Sequence, residues 1–250
     1  MNSVRLSIVI PIYKSYSTAV KAIKSCLVDG VYEILVIDDT PNKLSFARLS
    51  NQFLDYKNVF FFSNRVNRGV TFSRNRGFFE ANGTHVLFLD SDDIFCGESV
   101  SKIIGELENN LQTHCVLFSS GVHRKDIFDR FGKWPLLLRN SNSGERTVCV
   151  KKKAGKPFIG ILRGHELAGL ARLGIRSSGY FYWSNIQARE YHESVEGSLS
   201  SQRLSSRRSR LISKGHFLIA FWLAREYSLF LAMKYLLKGF MYAGYSLWNN

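Results

Sequence analysis

Three stretches of this sequence carry residue types that could act together. Asp90-Ser91-Asp92 closes the apolar run Val86-Leu87-Phe88-Leu89. Two carboxylates one residue apart offer hard oxygen ligands to Mg²⁺ or Mn²⁺, ions that usually share their coordination shell with substrate phosphates. A solvated acidic turn capping the next helix would read the same way. Asp38-Asp39 closes a second apolar run, Ile34-Leu35-Val36-Ile37. A carboxylate there can accept hydrogen bonds from a base N–H or from ribose hydroxyls, or serve as an ordinary turn and N-cap residue. The third stretch, Asn67-Arg68-Gly69-Val70-Thr71-Phe72-Ser73-Arg74-Asn75-Arg76-Gly77, is a glycine turn opening into a helix with Arg74 in its first turns. Helix dipole and guanidinium together suit a diphosphate; the plainer alternative is a surface helix with solvated arginines.

These groups need a scaffold, and the apolar periodicity supplies one. Leu6-Ser7-Ile8-Val9-Ile10 reads as a strand that should finish at Pro11, which lacks an N–H for the ladder. Helical spacing follows over residues 18–28, 46–54 and 72–81, alternating with strands over 33–38, 59–62 and 85–89. Such alternation predicts a largely parallel sheet covered on both faces, with ligands beyond the carboxyl ends of its strands. Those ends carry Pro11-Ile12-Tyr13, Asp38-Asp39-Thr40 and Asp90-Ser91-Asp92-Asp93. Further on come a helix over 98–111, a strand over 115–119, a poorly periodic basic stretch containing Lys151-Lys152-Lys153, a helix over 166–173 and an aromatic strand over 180–183. Residues 194–213 are rich in Ser and Arg and fit a linker or the basic start of a helix.

Charge divides the chain as well. The net charge is +14, yet residues 1–110 hold 12 basic and 12 acidic side chains, so the whole excess lies beyond them. A uniformly basic nucleic-acid-coating protein would not show that asymmetry. With 45% apolar residues the chain can bury a substantial core, which excludes disorder as its main state. Cys26, Cys96, Cys115 and Cys149 are scattered without a C-x-x-C pair, as expected in a reducing cytosol rather than in a disulfide scaffold or zinc ribbon. No secretory signal is read at the N-terminus, and the apolar run over 217–224 is stopped by Arg225 and Glu226, short of the roughly 18 apolar residues of a spanning helix.

In order and spacing, the first 110 residues resemble the family 2 glycosyltransferases of the GT-A fold. The resemblance rests on Ile8-Val9-Ile10-Pro11-Ile12-Tyr13, Val36-Ile37-Asp38-Asp39, Asn67-x-Gly69 with Ser73-Arg74-Asn75-x-Gly77, and Gly83 through Asp93. It implies an α/β fold, a GT-A (Rossmann-like) mostly parallel sheet flanked by helices, and a nucleotide-diphospho-sugar donor, most often UDP-linked. By that resemblance Asp39 contacts the base, Pro11 and Tyr13 line the nucleotide cleft, Asp90 and Ser91 lie at the nucleotide sugar, Arg74 offsets diphosphate charge, and Asp92 binds a divalent metal, Mn²⁺ or Mg²⁺. The family usually has Asn where Lys14 stands and Gly-Ser where Thr40-Pro41 stand. Arg163-Gly164-His165-Glu166-Leu167 is similar to the segment that opens the family's base-bearing helix, with Glu166 in the base register and His165 as the other candidate. Tyr191-His192-Glu193-Ser194-Val195-Glu196-Gly197-Ser198 is similar to its His-x-x-Ser segment, which makes His192 a candidate metal or phosphate ligand.

The tail differs in character. From Leu211 onward apolar and aromatic residues dominate, interrupted by Lys214, Arg225, Lys234 and Lys238. Such a segment can lie in a membrane interface with its basic groups on anionic headgroups, or form core-packing helices at a homo-oligomer interface. The expected organisation is a GT-A domain over 1–200, divided into a nucleotide-sugar part (1–110) and an acceptor part (111–200), followed by a basic amphipathic helical segment over 201–250. The function this implies is inverting, metal-dependent transfer to a saccharide acceptor carried on a polyprenyl diphosphate, for surface polysaccharide. The site of action would be the cytoplasmic face of the inner membrane, with peripheral attachment and no nucleic acid partner. A basic nucleic-acid-binding protein and a catalytically inactive partner subunit are the alternatives; neither the two acidic strand ends nor the intact D-x-D is what those two require.

Overall fold

The computed structural model describes residues 4–40, 43–120, 131–135, 146–162, 165–177, 179–190 and 204–248. At its centre is an eight-stranded sheet of order β3-β2-β1-β4-β8-β6-β9-β7. The strands are β1 (Leu6–Ile12), β2 (Val31–Asp38), β3 (Val59–Ser63), β4 (His85–Phe88), β6 (Thr113–Ser119), β7 (Phe131–Lys133), β8 (Arg146–Lys151) and β9 (Tyr180–Gln187). The first four pair parallel, as their alternation with helices requires, and β1 lies between β2 and β4. The chain order reverses between β1 and β4, so a crevice opens beyond the carboxyl ends of β1, β2 and β4. The fold is thus a large α/β sheet flanked by helices, with a helical C-terminal region, as expected.

All seven residues of β1 are buried, as in a central strand covered on both faces. Leu6, Ile8, Ile10 and Ile12 point to a cluster with Ala19, Ala22 and Ile23 of α1 (Tyr16–Ser25) and Val100, Ile103 and Leu107 of α4 (Val100–Asn109). Val9 points the other way, to Phe78 of α3 (Val70–Glu80) and Ala168 and Ala171 of α5 (Glu166–Ser177). The period of two thus sorts one strand into two cores. A Cβ on Gly77 would lie 2.3 Å from Val9 Cγ1, so only glycine lets α3 lie this close to β1. The short helix α2 (Lys43–Ser50) runs on into a 3₁₀ turn that buries Phe53 beneath β3.

Two features depart from the sequence reading. Strand β1 runs through Pro11 to Ile12, because its pairing with β4 ends at Val9 and the missing N–H falls where no ladder remains on that side. Residues 146–151, within the stretch read as poorly periodic, form β8, antiparallel to both β4 and β6. Charged ends, Arg146 and Lys151, mask a short strand whose partners lie far away in sequence. A small antiparallel pair, β5 (Ile94–Phe95) with β10 (Arg189–Glu190), carries the chain after β9 back to the D-x-D loop.

The C-terminal helices α6 (Ser206–Glu226) and α7 (Leu229–Trp248) pack as a hairpin. Ser209 and Ser213 hydroxyls donate across it to the carbonyls of Tyr242 and Gly239 at 2.6 and 2.9 Å. Ile219, Ala220 and Leu223 of α6 and Ala232 and Tyr235 of α7 join the same core cluster as α3 and α5.

Candidate active site

The crevice is built from turns that satisfy their own polar groups. Asp38 is fully buried; its Oδ1 accepts the Thr40 N–H at 2.9 Å and its Oδ2 the Tyr16 hydroxyl at 2.8 Å. Burial, together with the neighbouring Asp38 carboxylate, raises the Tyr16 phenol above its ordinary pKa. Asp39, also buried, accepts from Asn64 Nδ2 and the Arg68 N–H on Oδ1, both at 2.9 Å, and from the Gly69 N–H on Oδ2 at 2.6 Å. It therefore ties the end of β2 to the turn that opens α3, where Gly69 sits at φ +89°. Two oxygens offer about four lone-pair sites, so three bonds leave Asp39 one site for a ligand donor.

Helix α3 holds the far wall. Asn75 exchanges two hydrogen bonds with the Phe158 backbone, at 3.0 and 3.1 Å, and the Thr71 hydroxyl donates to the Gly160 carbonyl at 3.2 Å. These bonds fasten the segment that leads into α5, and with it Glu166, the first residue of that helix. On the opposite rim, the hydroxyls of Ser15 and Ser91 lie 2.7 Å apart and join the D-x-D loop to the start of α1. Pro11 is buried within β1, while Tyr13, two residues on, is half exposed beside Lys14, whose φ of +60° is left-handed. A left-handed conformation suits the Asn that the family usually has at that position better than it suits Lys.

One guanidinium links the two rims. Arg74 bonds Asp90 Oδ1 through Nη2 at 2.5 Å and Glu166 Oε1 through Nη1 at 3.2 Å. Its burial disfavours the charge, but the two carboxylates more than offset this and hold its pKa above the ordinary arginine value. Arg189, brought in by β10, pairs with buried Asp93 and lies 3.9 Å from Asp90 Oδ2. Asp90 is thus flanked by two arginines, and although desolvation works against its charge, its carboxyl is held below the usual range. Asp92 stands outside these ion pairs, and burial and the adjacent Asp90 charge raise its pKa.

That contrast bears on a metal. Among the described residues no group of three His, Cys, Asp or Glu is placed to hold an ion. Asp90 is committed to arginines, whereas Asp92 is a carboxylate destabilised by a like charge, the condition a cation relieves. One carboxylate plus substrate phosphates is an ordinary Mg²⁺ or Mn²⁺ donor set, so the residues present fit a metal shared with the donor. His192 lies outside the described residues.

His165 is buried and differently employed. Its Nδ1 accepts the Ala168 N–H at 3.3 Å, capping α5, and its Nε2 lies 3.3 Å from Nδ1 of His216 on α6. With Nδ1 accepting, the proton sits on Nε2 and is donated to His216. Both ring nitrogens of His165 are thus engaged within the protein, while Glu166 is bonded to Arg74 through Oε1. Arg74, the residue that the resemblance sets against the diphosphate, bridges the Asp90 and Glu166 carboxylates. Sequence reasoning missed Arg189 and Asn64, which carry no local signal because their partners are distant in the chain, and it missed the anchoring role of Asn75 within a motif it did single out.

Residues 7–154 match the sequence profile of Glycosyl transferase family 2. The chain belongs to that family. An uncharacterized glycosyltransferase of Rickettsia conorii is 32% identical over 112 residues, 44% of this chain and 18% of that protein. The UDP-Glc:alpha-D-GlcNAc-diphosphoundecaprenol beta-1,3-glucosyltransferase WfgD of Escherichia coli is 26% identical over 165 residues, 63% of this chain and 64% of that protein. The family 2 chain thus spans less than two thirds of either relative. Among solved structures, S. aureus TarS 1-349 in complex with UDP-GlcNAc superposes with a TM-score of 0.70 at 16% identity, covering 95% of this chain and 72% of that one. The mannosyltransferase PcManGT of Pyrobaculum calidifontis, in complex with GDP-Man and Mn²⁺, gives 0.62 at 12% identity, covering 100% and 77%. At such identities the likeness speaks for the fold.

Proposed function

We propose that this chain transfers a sugar from a nucleotide-diphospho-sugar, UDP-linked, to a saccharide hydroxyl with inversion at the anomeric carbon. The observation that carries the reading is the line Asp90–Arg74–Glu166 across the strand-end crevice, with Asp92 beside it. In this reading Glu166 is the base: Arg74 occupies its Oε1, and Oε2 takes the proton of the acceptor hydroxyl as that oxygen bonds the anomeric carbon and the bond to the diphosphate breaks. Asp90 and Ser91 meet the nucleotide sugar, Asp39 offers its remaining lone pair to the base, and Pro11 and Tyr13 wall the nucleotide. Asp92, with His192 as a further candidate, would hold a divalent metal, which when bound neutralises charge on the departing diphosphate.

The relative WfgD, by its name, acts on a diphosphoundecaprenol-linked sugar. This supports a polyprenyl-diphosphate-linked acceptor; surface-polysaccharide synthesis, with peripheral attachment at the cytoplasmic face of the inner membrane through the segment over 201–250, completes the reading. The test is UDP release and product formation across a panel of nucleotide sugars with Mn²⁺ or Mg²⁺, with and without a lipid-linked acceptor. Glu166→Gln should lower transfer about 10²–10⁴-fold while UDP binding by calorimetry is unchanged. Full transfer by that variant would remove Glu166 from the base role, and no release from any donor would overturn the enzymatic reading.

A further inference from the structure

Helix α7 has a face that the described protein does not cover. Its buried side, Ala232, Tyr235, Gly239 and Ser246, packs inward. Opposite lie Phe230, Met233, Leu237, Phe240, Met241 and Trp248, all exposed, with Phe230 at 85% and Trp248 at 91%. At 100° per residue these six fall within one arc of about a quarter to a third of the helix, and no charged residue interrupts it. The two charges of α7, Lys234 and Lys238, both lie along one edge of that arc. A helix apolar on nearly every side ordinarily has a cover.

The adjoining helix indicates what the cover is. The exposed stripe of α6 runs Arg207, Arg210, Lys214, Leu218, Phe221, Arg225, with spacings of three and four residues, so cations bracket an apolar pair. Residues 204–248 contain seven Lys and Arg against the single acid Glu226. A second copy of the chain would set seven cations against seven, whereas an anionic surface complements them. No described helix is long and apolar enough to cross a membrane. Exposed rings in the turn before α7, Tyr227, and at its end, Trp248, suit the headgroup level.

We infer that the α6–α7 hairpin is a monotopic foot, with α7 lying in the plane of an anionic phospholipid bilayer and its apolar face in the acyl boundary. The hairpin also touches the candidate active site. His216 of α6 meets His165, the residue before Glu166, and a Cβ on Gly215 would come within 2.6 Å of the same ring. The membrane plane is therefore set next to the base-bearing end of α5, where an acceptor on a lipid carrier must present its hydroxyl. This deepens the lipid-linked-acceptor reading and rests on it for its purpose, but it is measured without acceptor or donor, so either can fail alone.

The experiment is flotation of the full chain with phosphatidylethanolamine/phosphatidylglycerol vesicles and with pure phosphatidylcholine vesicles, at low and high salt. Wild type should float with the anionic vesicles, less at high salt, and Trp248 fluorescence should shift to the blue, a change absent in Trp248→Phe. The paired substitution Phe230→Glu with Leu237→Glu, on the solvent face, should weaken binding at least about tenfold with circular dichroism unchanged. Arg207→Gln, Arg210→Gln and Lys214→Gln should each weaken it about fivefold. Wild type that stays in solution with anionic vesicles and shows no Trp248 shift would overturn the inference. So would flotation indifferent to the paired glutamates in a folded variant, or self-association through this face in place of vesicle binding.

Discussion

The two ends of the molecule solve the problem of polar and apolar groups in opposite ways. In the N-terminal half charge is balanced, and each acid of the crevice apart from Asp92 has partners inside the protein: Asp38 with Tyr16 and Thr40, Asp39 with the turn before α3, Asp90 and Asp93 with arginines. In the C-terminal hairpin cations outnumber acids seven to one, and the outer face of α7 is apolar. The crevice satisfies these acids within the protein, with Arg189 and Glu166 brought in from beyond the first half, whereas the hairpin leaves an apolar face and its cations outward. The two meet where Arg74 and His165 converge on Glu166 and its helix, so perturbing each side separately breaks or sharpens the contrast.

The largest effect should come from the junction. Arg74→Met leaves Asp90 and Glu166 facing each other across the crevice without their shared cation. Transfer should fall about 10²-fold, and because both carboxylates are more than a third exposed the loss of stability should stay near about 1–2 kcal/mol, below that of a fully buried pair. Steady-state kinetics and urea unfolding read the two together; unchanged kcat would mean that the bridge is only structural.

A smaller pair of effects separates the halves. Gly77→Ala pushes a methyl group into Val9 and Gly215→Ala pushes one into the His165 ring, each costing about 1–3 kcal/mol as overpacking. The first should depress UDP affinity and Tm together. The second should lower Tm and transfer while UDP affinity, measured by calorimetry, holds. Equal loss of UDP affinity in both would show that the hairpin and the nucleotide half are one mechanical unit.

The smallest effect is in pH. Burial, with help from His165 and Lys238, depresses the His216 pKa from 6.5 to about 4. The unfolded chain therefore binds more protons between these values, so stability is full above about pH 6.5 and declines as pH falls toward 4. Depression of His165, and of His85 to about 4, adds in the same direction, whereas Asp90, held low by its arginines, loses its contribution only below its ordinary 3.8. Tm followed from pH 7 to 4.5 should fall, and His216→Gln should remove part of the slope, about 1 kcal/mol. An unaltered slope would place the titrating group elsewhere.

Much of the N-terminal half is legible in sequence because its signals are local. Continuous runs of Val, Ile and Leu define buried strands, a glycine marks the turn into α3, and parallel topology puts whatever ends those strands into one crevice. The D-x-D, the Asp pair and the Ser-Arg-Asn helix are therefore found by reading along the chain. Strand β8 and the β5–β10 pair are not, since an isolated short strand with charged ends has no periodicity to betray it and its partners are contributed from far away.

What the sequence by itself determined, then, is the architecture, the family likeness and the acidic strand ends, all consequences of spacing that survives without neighbours. Tertiary structure alone decided that Arg74 spans Asp90 and Glu166, that Arg189 neutralises Asp93, that His165 is a cap held by His216, and that the apolar residues of α7 divide into a packed side and an outward side. Each of these depends on which side chains meet across distances of many residues, and ion pairing, burial and exposure are properties of such meetings and not of the residues singly.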